Sequence, residues 1–308
     1  MLQSFFILSG EHQELAKDEL VSISKSYDTK TRHLVDSRLV IITSTVSWKK
    51  IAKRATFVRT AGNLVGTFDE ISEIEFPKSD SFACRMINLS SKKINSSHME
   101  KEAGAIIKKK IGSKISLSDP SLTIYLIITD NKRYVGYADV LEYERPKKAI
   151  KYPTELDWKI GRCMVNLSLL KERNVLCDPF CGTGTILLEA ESMGIHSIGI
   201  DFDYKMCEIT RENLAVNRYS PRIINSTYNY ISKIKDEIDA IVTDVPYGTA
   251  SRSSVAPKRI IQDFVSTVPK KMKLVMVYKK GMDVDELDKA KKYEIYRHKS
   301  LTRVIAIR

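Results

Sequence analysis

The chain has 308 residues, 43% of them hydrophobic and 29% charged, with a formal net charge of +12. That length suggests two domains with room for a core, and the balance excludes a disordered or low-complexity chain. No apolar run approaches the roughly 18 residues a membrane span needs, and the basic excess favours a polyanion such as nucleic acid. Residues 1–150 carry 24 basic and 18 acidic side chains and the remainder 26 and 20, so charge alone does not say which half grips. The opening MLQSFFILSGEHQELAKDEL has no basic leader and no small-residue cleavage site, so no signal peptide is expected. Five cysteines without paired metal-type spacing suit a reducing cytoplasm and predict no metal site. Cys177 and Cys181, the closest pair, read as small buried apolar residues.

In chain order, FFILSG predicts a strand and EHQELAKDELVSISKSY an amphipathic helix. SRLVIITS predicts a strand, SWKKIAKRATFVRTAGNLVG a basic helix, and SFACRMINLS a half-buried strand. SSHMEKEAGAIIKKKIG predicts a helix capped by Ser97, three residues before Glu100. SLTIYLIITDNKRYVGYADV, with its polar DNKR turn, predicts two more strands or a hairpin. The prolines and charges of LEYERPKKAIKYPTEL mark a domain boundary. Beyond it the rhythm becomes strand, Gly-rich turn, helix, strand: NVLCDPF, CGTGT, ILLEAESMG, HSIGIDFD, then a helix from YKMCEITRENLAVNR. That alternation predicts a parallel sheet with helices on both faces.

Three stretches carry chemistry. In DPFCGTGTILLEA, Asp178 to Ala190, Gly182 and Gly184 let the backbone turn sharply and approach a ligand. The turn feeds a helix start, where free N–H groups point outward. Its spacing is neither the dinucleotide Gly-x-Gly-x-x-Gly nor a Walker loop. In IGIDFD, Asp201 ends an apolar strand and suits acceptance of ribose hydroxyls, while Asp203 suits a helix cap. TDVPYG, Thr243 to Gly248, lies at the carboxyl end of a later parallel strand, the edge where open α/β sheets bind ligands. Asp, Pro and Gly are also ordinary turn residues. Placed here, however, Asp244 can accept from an amine, Pro246 fixes the local backbone, and Tyr247 can stack a flat base.

DPFCGTGT, IGIDFD and DVPYG, in this order, resemble the first, second and fourth motifs of class I S-adenosylmethionine-dependent amino-methyltransferases. The fourth motif of that group reads Asp/Asn-Pro-Pro-Tyr, and Val245 replaces its first proline here. KYPTELDWKIGRCMVNLSLL, Lys151 to Leu170, and RHKSLTRVIAIR, Arg297 to Arg308, are similar to segments of the family that methylates N2 of guanine-10 in tRNA. The stretch from Ser96 to Tyr137 is similar to THUMP, an RNA-binding module, through Gly104, Asp119, Pro120 and Gly136. Two further departures stand out. Asn225 and Ser226 replace the acid that commonly follows the third strand, and Tyr152 replaces a histidine before Pro153.

The resemblance implies a doubly wound Rossmann-like methyltransferase domain over residues 146–308. Before it come a THUMP domain over 61–145 and a further α+β domain over 1–60. It implies S-adenosylmethionine held by Tyr152, Pro153, Thr154, Asp178, Pro179, Cys181, Gly182, Thr183, Gly184, Asp201, Phe202, Asn225, Ser226 and Asp244. Catalysis would rest on Asp244, Pro246 and Tyr247, with tRNA as substrate and neither metal nor membrane involved. The protein is expected in the cytoplasm as a monomer, with a protein partner left open. The rival readings are an N2-methyltransferase acting at another tRNA or rRNA guanine, a DNA adenine methyltransferase, and a THUMP RNA-binding protein with impaired catalysis.

Overall fold

The computed structural model describes residues 1–153, 155–246, 257–299 and 301–308. Thr154 and Tyr247, both expected at the site, lie outside the described residues. The chain divides into two compact units, Met1–Tyr143 and Glu144–Arg308.

The first unit runs β1 (Leu2–Leu8), α1 (Gln13–Tyr27), β2 (Arg32–Asp36), β3 (Leu39–Ser44), α2 (Trp48–Arg54), β4 (Val58–Thr67) and β5 (Ser81–Asn88). It continues with α3 (Ser96–Ile111), β6 (Lys114–Ile115), β7 (Leu122–Ile128) and β8 (Arg133–Asp139). All these strands join one sheet in the order β2-β3-β1-β4-β8-β7-β5-β6. Phe5 on β1 is fully buried and crowds two glycines, Gly62 on the neighbouring β4 and Gly136 on β8 beyond it. A Cβ at Gly62 would stand 2.7 Å from the Phe5 ring, and one at Gly136 2.6 Å from it. Close packing against an aromatic ring, rather than an RNA contact, accounts for Gly136.

Two expectations for this unit fail. The predicted basic helix stops at Arg54, and β4 occupies the rest of that stretch, pairing with both β1 and β8. Val58 and Val65 suit a strand, and Gly62 marks a close approach rather than a helix position. The cap of α3 is Asn95, whose side chain accepts from the His98 N–H at 3.2 Å. Asn caps as well as Ser, and Glu100 instead accepts from the Met86 N–H across to β5.

The second unit runs α4 (Trp158–Leu167), β9 (Val175–Asp178), α5 (Thr185–Ser192), β10 (His196–Asp201), α6 (Tyr204–Ala215) and β11 (Arg222–Asn225). There follow α7 (Ile231–Ile234), β12 (Ala240–Asp244), α8 (Pro257–Thr267), β13 (Lys273–Lys279), β14 (Lys291–His298) and β15 (Leu301–Ile307). Its sheet has the order β11-β10-β9-β12-β13-β15-β14, parallel except for β15, which is antiparallel to both neighbours. The order reverses at β9, so β10 and β12 flank it and their carboxyl ends open a crevice there.

Side chains alternate across the sheet. Cys177, Ile241, Leu274, Met276 and Tyr278 join a core with Ile231 and Ile234 of α7 and Ile261, Phe264 and Val265 of α8. Leu176, Val242, Val275 and Val277 project to the other face, and α4 and α5 cover strands from β9 to β13. A buried Arg162–Glu189 pair at 2.8 Å, shared with Ser192, fastens α4 to α5. Removing one partner would strand a charge at a cost of about 3–5 kcal/mol, so this clamp holds the helix that follows the glycine turn.

Candidate active site

The glycine turn is built as its sequence demands. Gly182 and Gly184 have φ of +52° and +80°, the left-handed region that favours glycine. They serve different ends. A Cβ at Gly184 would stand 2.9 Å from Thr210 of α6, so packing fixes that position, whereas a Cβ at Gly182 meets almost nothing and would fill open space. The Gly182 N–H donates to Asp201 Oδ2 at 2.8 Å, and the Asp203 N–H donates to Oδ1 at 2.9 Å. Asp201 therefore ties the turn to the end of β10 as well as standing where a ribose acceptor is expected. Asp203 caps α6 through the Lys205 N–H.

A cleft of about 200 Å³ lies beside the turn, lined among others by Tyr152, Glu155, Asp178, Gly182, Thr183 and Asp244. Cys181 lines it too, while Asp201, Phe202, Asn225 and Ser226 stand outside its wall on the neighbouring strand ends. Asp178 Oδ1 accepts from the Thr243 hydroxyl at 2.6 Å and the Phe180 N–H at 3.2 Å. Burial nevertheless pushes its carboxyl up to about 7, with Asp244 and Asp201 adding repulsion.

Asp244 closes the same cleft from the end of β12. Its side chain keeps 22% exposure, yet Oδ1 is shut from solvent and has no hydrogen-bond partner among the described residues. Desolvation pushes this carboxyl up to about 7 as well, against the opposing charge of Arg303, whose Nη2 stands 3.9 Å from Oδ2. Val245 departs from the expected proline for a visible reason. Its side chain is fully buried in the core, and its N–H donates to the Val277 carbonyl at 3.0 Å, extending the β12–β13 pairing. Proline could not make that bond.

Asn225 donates through Nδ2 to the backbone carbonyls of Asp201 and Phe202, at 3.0 and 2.9 Å. Both partners are acceptors, so the amide nitrogen must face them and Oδ1 forms the opposite, accepting end. The Ser226 N–H donates to the Asp201 carbonyl. Phe202 is half exposed beside them. Pro153 is exposed and Pro246 half-buried.

Sequence reading missed a polar hub beneath the turn. Lys148 Nζ donates to Glu155 Oε2 at 2.6 Å, Thr183 Oγ1 at 2.9 Å and Thr185 Oγ1 at 2.8 Å. Burial lowers the Lys148 ammonium while Glu155 opposes the shift. The Tyr152 N–H also reaches Glu155. Asn213 of α6 exchanges hydrogen bonds with the Ile150 backbone and donates to the Thr183 carbonyl. Lys148, Ile150, Tyr152 and Glu155 are thus tied to the turn and to α6 rather than forming a plain linker. Arg303, a cation in the otherwise apolar alternation of LTRVIAI, was the other available signal.

The donor set suits a cationic ligand: three carboxylates, Asp178, Asp201 and Asp244, meet around a turn with room where the Gly182 Cβ would be. Similarity to known proteins agrees. Residues 145–300 match the RMKL-like methyltransferase domain. A DNA methylase profile also matches residues 15–212, a span that crosses from one unit to the other and ends before Asp244. The chain is 31% identical to the tRNA (guanine(10)-N2)-dimethyltransferase of Methanothermobacter thermautotrophicus, over 99% of both chains. It is 29% identical to the enzyme of that name from Methanocaldococcus jannaschii, over 98% of both. The solved structure of TrmN from Thermus thermophilus shares the fold, with a TM-score of 0.55 at 17% identity, covering 100% of this chain and 99% of that one. No helix among the described residues is long and apolar enough to cross a membrane. With its methyltransferase domain and a full-length relative above 30% identity, the chain belongs to the tRNA (guanine(10)-N2)-dimethyltransferase family.

Proposed function

We propose that this protein methylates the exocyclic N2 of a guanine in tRNA, guanine-10 being the target its relatives' names indicate. The observation that carries this reading is Asp244, a desolvated carboxyl that lines the cleft beside the glycine turn at the end of β12 and has an oxygen without a partner among the described residues. An under-satisfied acceptor is costly, about 1–3 kcal/mol, and a substrate amine that reaches the exposed part of this carboxyl offsets that cost. Bound S-adenosylmethionine would supply an electrophilic methyl group on a sulfonium sulfur. Asp178, Asp201, Gly182, Thr183 and Tyr152 are the groups assigned to hold it, Asp201 through its unused lone pairs and Asn225 through its amide oxygen.

The guanine amine is a poor nucleophile because its lone pair is delocalised into the ring. Asp244 accepts one N–H, stabilises the positive charge that develops as the N–C bond forms, and takes the proton. Pro246 sets the backbone after it, and Tyr247 is assigned to stack the base. The same acceptor serves the monomethylated amine in a second transfer, as the relatives' dimethyltransferase name requires. The first unit, read as residues 1–60 and a THUMP domain over 61–145, is assigned to hold the tRNA body. A flipped guanine offers few contacts and costs a few kcal/mol to unstack, so phosphate contacts elsewhere must offset it. A cytoplasmic protein is the matching location.

Nucleoside mass spectrometry of tRNA treated with the purified protein and methyl donor tests the reading. It predicts N2-methylated guanine that maps to position 10. Methylation confined to another guanine would favour the rival target, and donor binding without product the impaired RNA-binding protein.

A further inference from the structure

Arg303 sits on β15, in register with Lys279 of β13, while Asp244 ends β12 opposite Val277. The guanidinium therefore spans β13, two strand spacings of about 4.8 Å each, to come within 3.9 Å of Asp244 Oδ2. Its side chain is 5% exposed. A buried arginine in an apolar strand is expensive to keep, and this one points at the acid that the proposed reaction depends on.

We propose that Arg303 is a positioning residue that favours the ionised form of Asp244 and holds its carboxyl at the cleft where the substrate amine arrives. The inference rests on the assigned reaction and names a residue through which it is tuned. The surroundings make a counter-charge necessary. From β9 the facing group is Asp178, a second carboxyl that repels the charge on Asp244. Across the cleft stand Glu155, already held by Lys148, and Tyr152. On β13, Tyr278 turns its hydroxyl to Asp283, away from the acid. Arg303 thus brings positive charge to within 3.9 Å of Oδ2, against the desolvation and the repulsion that favour the protonated acid. With the guanidinium removed, desolvation and Asp178 act on Asp244 without opposition, and the carboxyl stays protonated over a wider pH range. A protonated acid cannot take the proton of the attacking amine.

The test compares the full-length protein with Arg303→Gln and Arg303→Lys. Two readouts are followed: the pH profile of single-turnover methyl transfer to tRNA, and the Asp244 carboxyl titration by ¹³C NMR without donor, assigned with Asp244→Asn. Both midpoints should rise by at least one pH unit in Arg303→Gln, a tenfold change in proton affinity, and Arg303→Lys should recover most of the shift. Unchanged midpoints in a folded Arg303→Gln protein would overturn the proposal. If that variant does not fold, Arg303→Met takes its place as the neutral variant: a rise of that size supports the proposal and no change overturns it. Absence of tRNA methylation by the parent at every pH would count against the assigned reaction, while the NMR titration would still judge Arg303.

Discussion

The two units treat their carboxylates in opposite ways. In the first, Asp28 accepts from the Lys30 and Thr45 N–H groups and the Ser44 and Thr45 hydroxyls, and these bonds hold it down at about 2. The buried Glu19 is likewise satisfied by the Thr56 and Phe57 N–H groups. In the second, Asp178 and Asp244 are pushed up to about 7 at one sheet edge. The difference is desolvation combined with partners: Asp28 is partly exposed and surrounded by donors, whereas Asp178 and Asp244 are desolvated and Asp244 Oδ1 has no partner among the described residues. Where acids stabilise the fold, local N–H and O–H donors surround them; where they serve a ligand, an acceptor is left for it.

The comparison breaks most readily at Asp244. Asp244→Ala should lower single-turnover methyl transfer by roughly 10²–10⁴-fold while leaving donor affinity within a few-fold. Retention of more than about a tenth of the parent rate would remove the acid from the mechanism. Asp201→Ala should come next, weakening donor binding by about 1.5–3 kcal/mol, because it loses the assigned ribose bonds and also releases Gly182. Unchanged affinity in a calorimetric titration would leave Asp201 with its turn-holding role alone.

A pH experiment sharpens the same contrast. Because Asp178 and Asp244 are raised from 3.8, their protonation favours the folded free protein. That contribution is complete below 3.8 and is lost as pH rises through about 7. A cationic donor lowers Asp178 again, so binding near pH 7 should release about half a proton, and none by about pH 9. Calorimetry in buffers of different ionisation enthalpy reads this directly. Asp28 has the opposite sign: its contribution is present above 3.8 and lost as pH falls through about 2.

The smallest effect concerns the RNA grip. Lys49 pairs with Asp139, Lys50 lies 3.9 Å from the Tyr27 ring centre, and Arg54 donates to the Tyr27 hydroxyl. Three cations of the basic helix α2 are thus engaged by neighbours in their own unit, whereas Lys108 and Lys109 at the end of α3 are exposed. Lys108→Glu with Lys109→Glu should weaken tRNA binding several-fold and lower the salt slope by about two. An equal loss from changing Lys49 and Lys50 would reverse that ranking.

Much of this could be read in the sequence because it is local. The glycine turn, the acid ending IGID and the acid opening DVPYG each sit in one strand-turn segment, and the structure sets them along one sheet edge. Arg303 and Lys148 escaped for the opposite reason. The first reaches its partner only across β13, and the second hides in a charged segment whose composition reads as linker. The stretch from Val58 to Gly66 reads as helix in isolation but forms a strand that pairs with β1 and β8 and packs Gly62 against Phe5, partners distant in sequence. Val245 looked like a defect until the sheet showed an N–H that a proline would lack.

The central claim is that Asp244 is kept for the substrate amine and not for the fold. Chemical denaturation of Asp244→Asn at pH 8, alongside donor titration, tests it most directly. The account predicts stability within about 1 kcal/mol of the parent, because loss of the desolvated carboxylate offsets the counter-charge taken from Arg303, with donor affinity preserved and methyl transfer lost. A loss of about 3–5 kcal/mol, with activity lost alongside it, would contradict the claim.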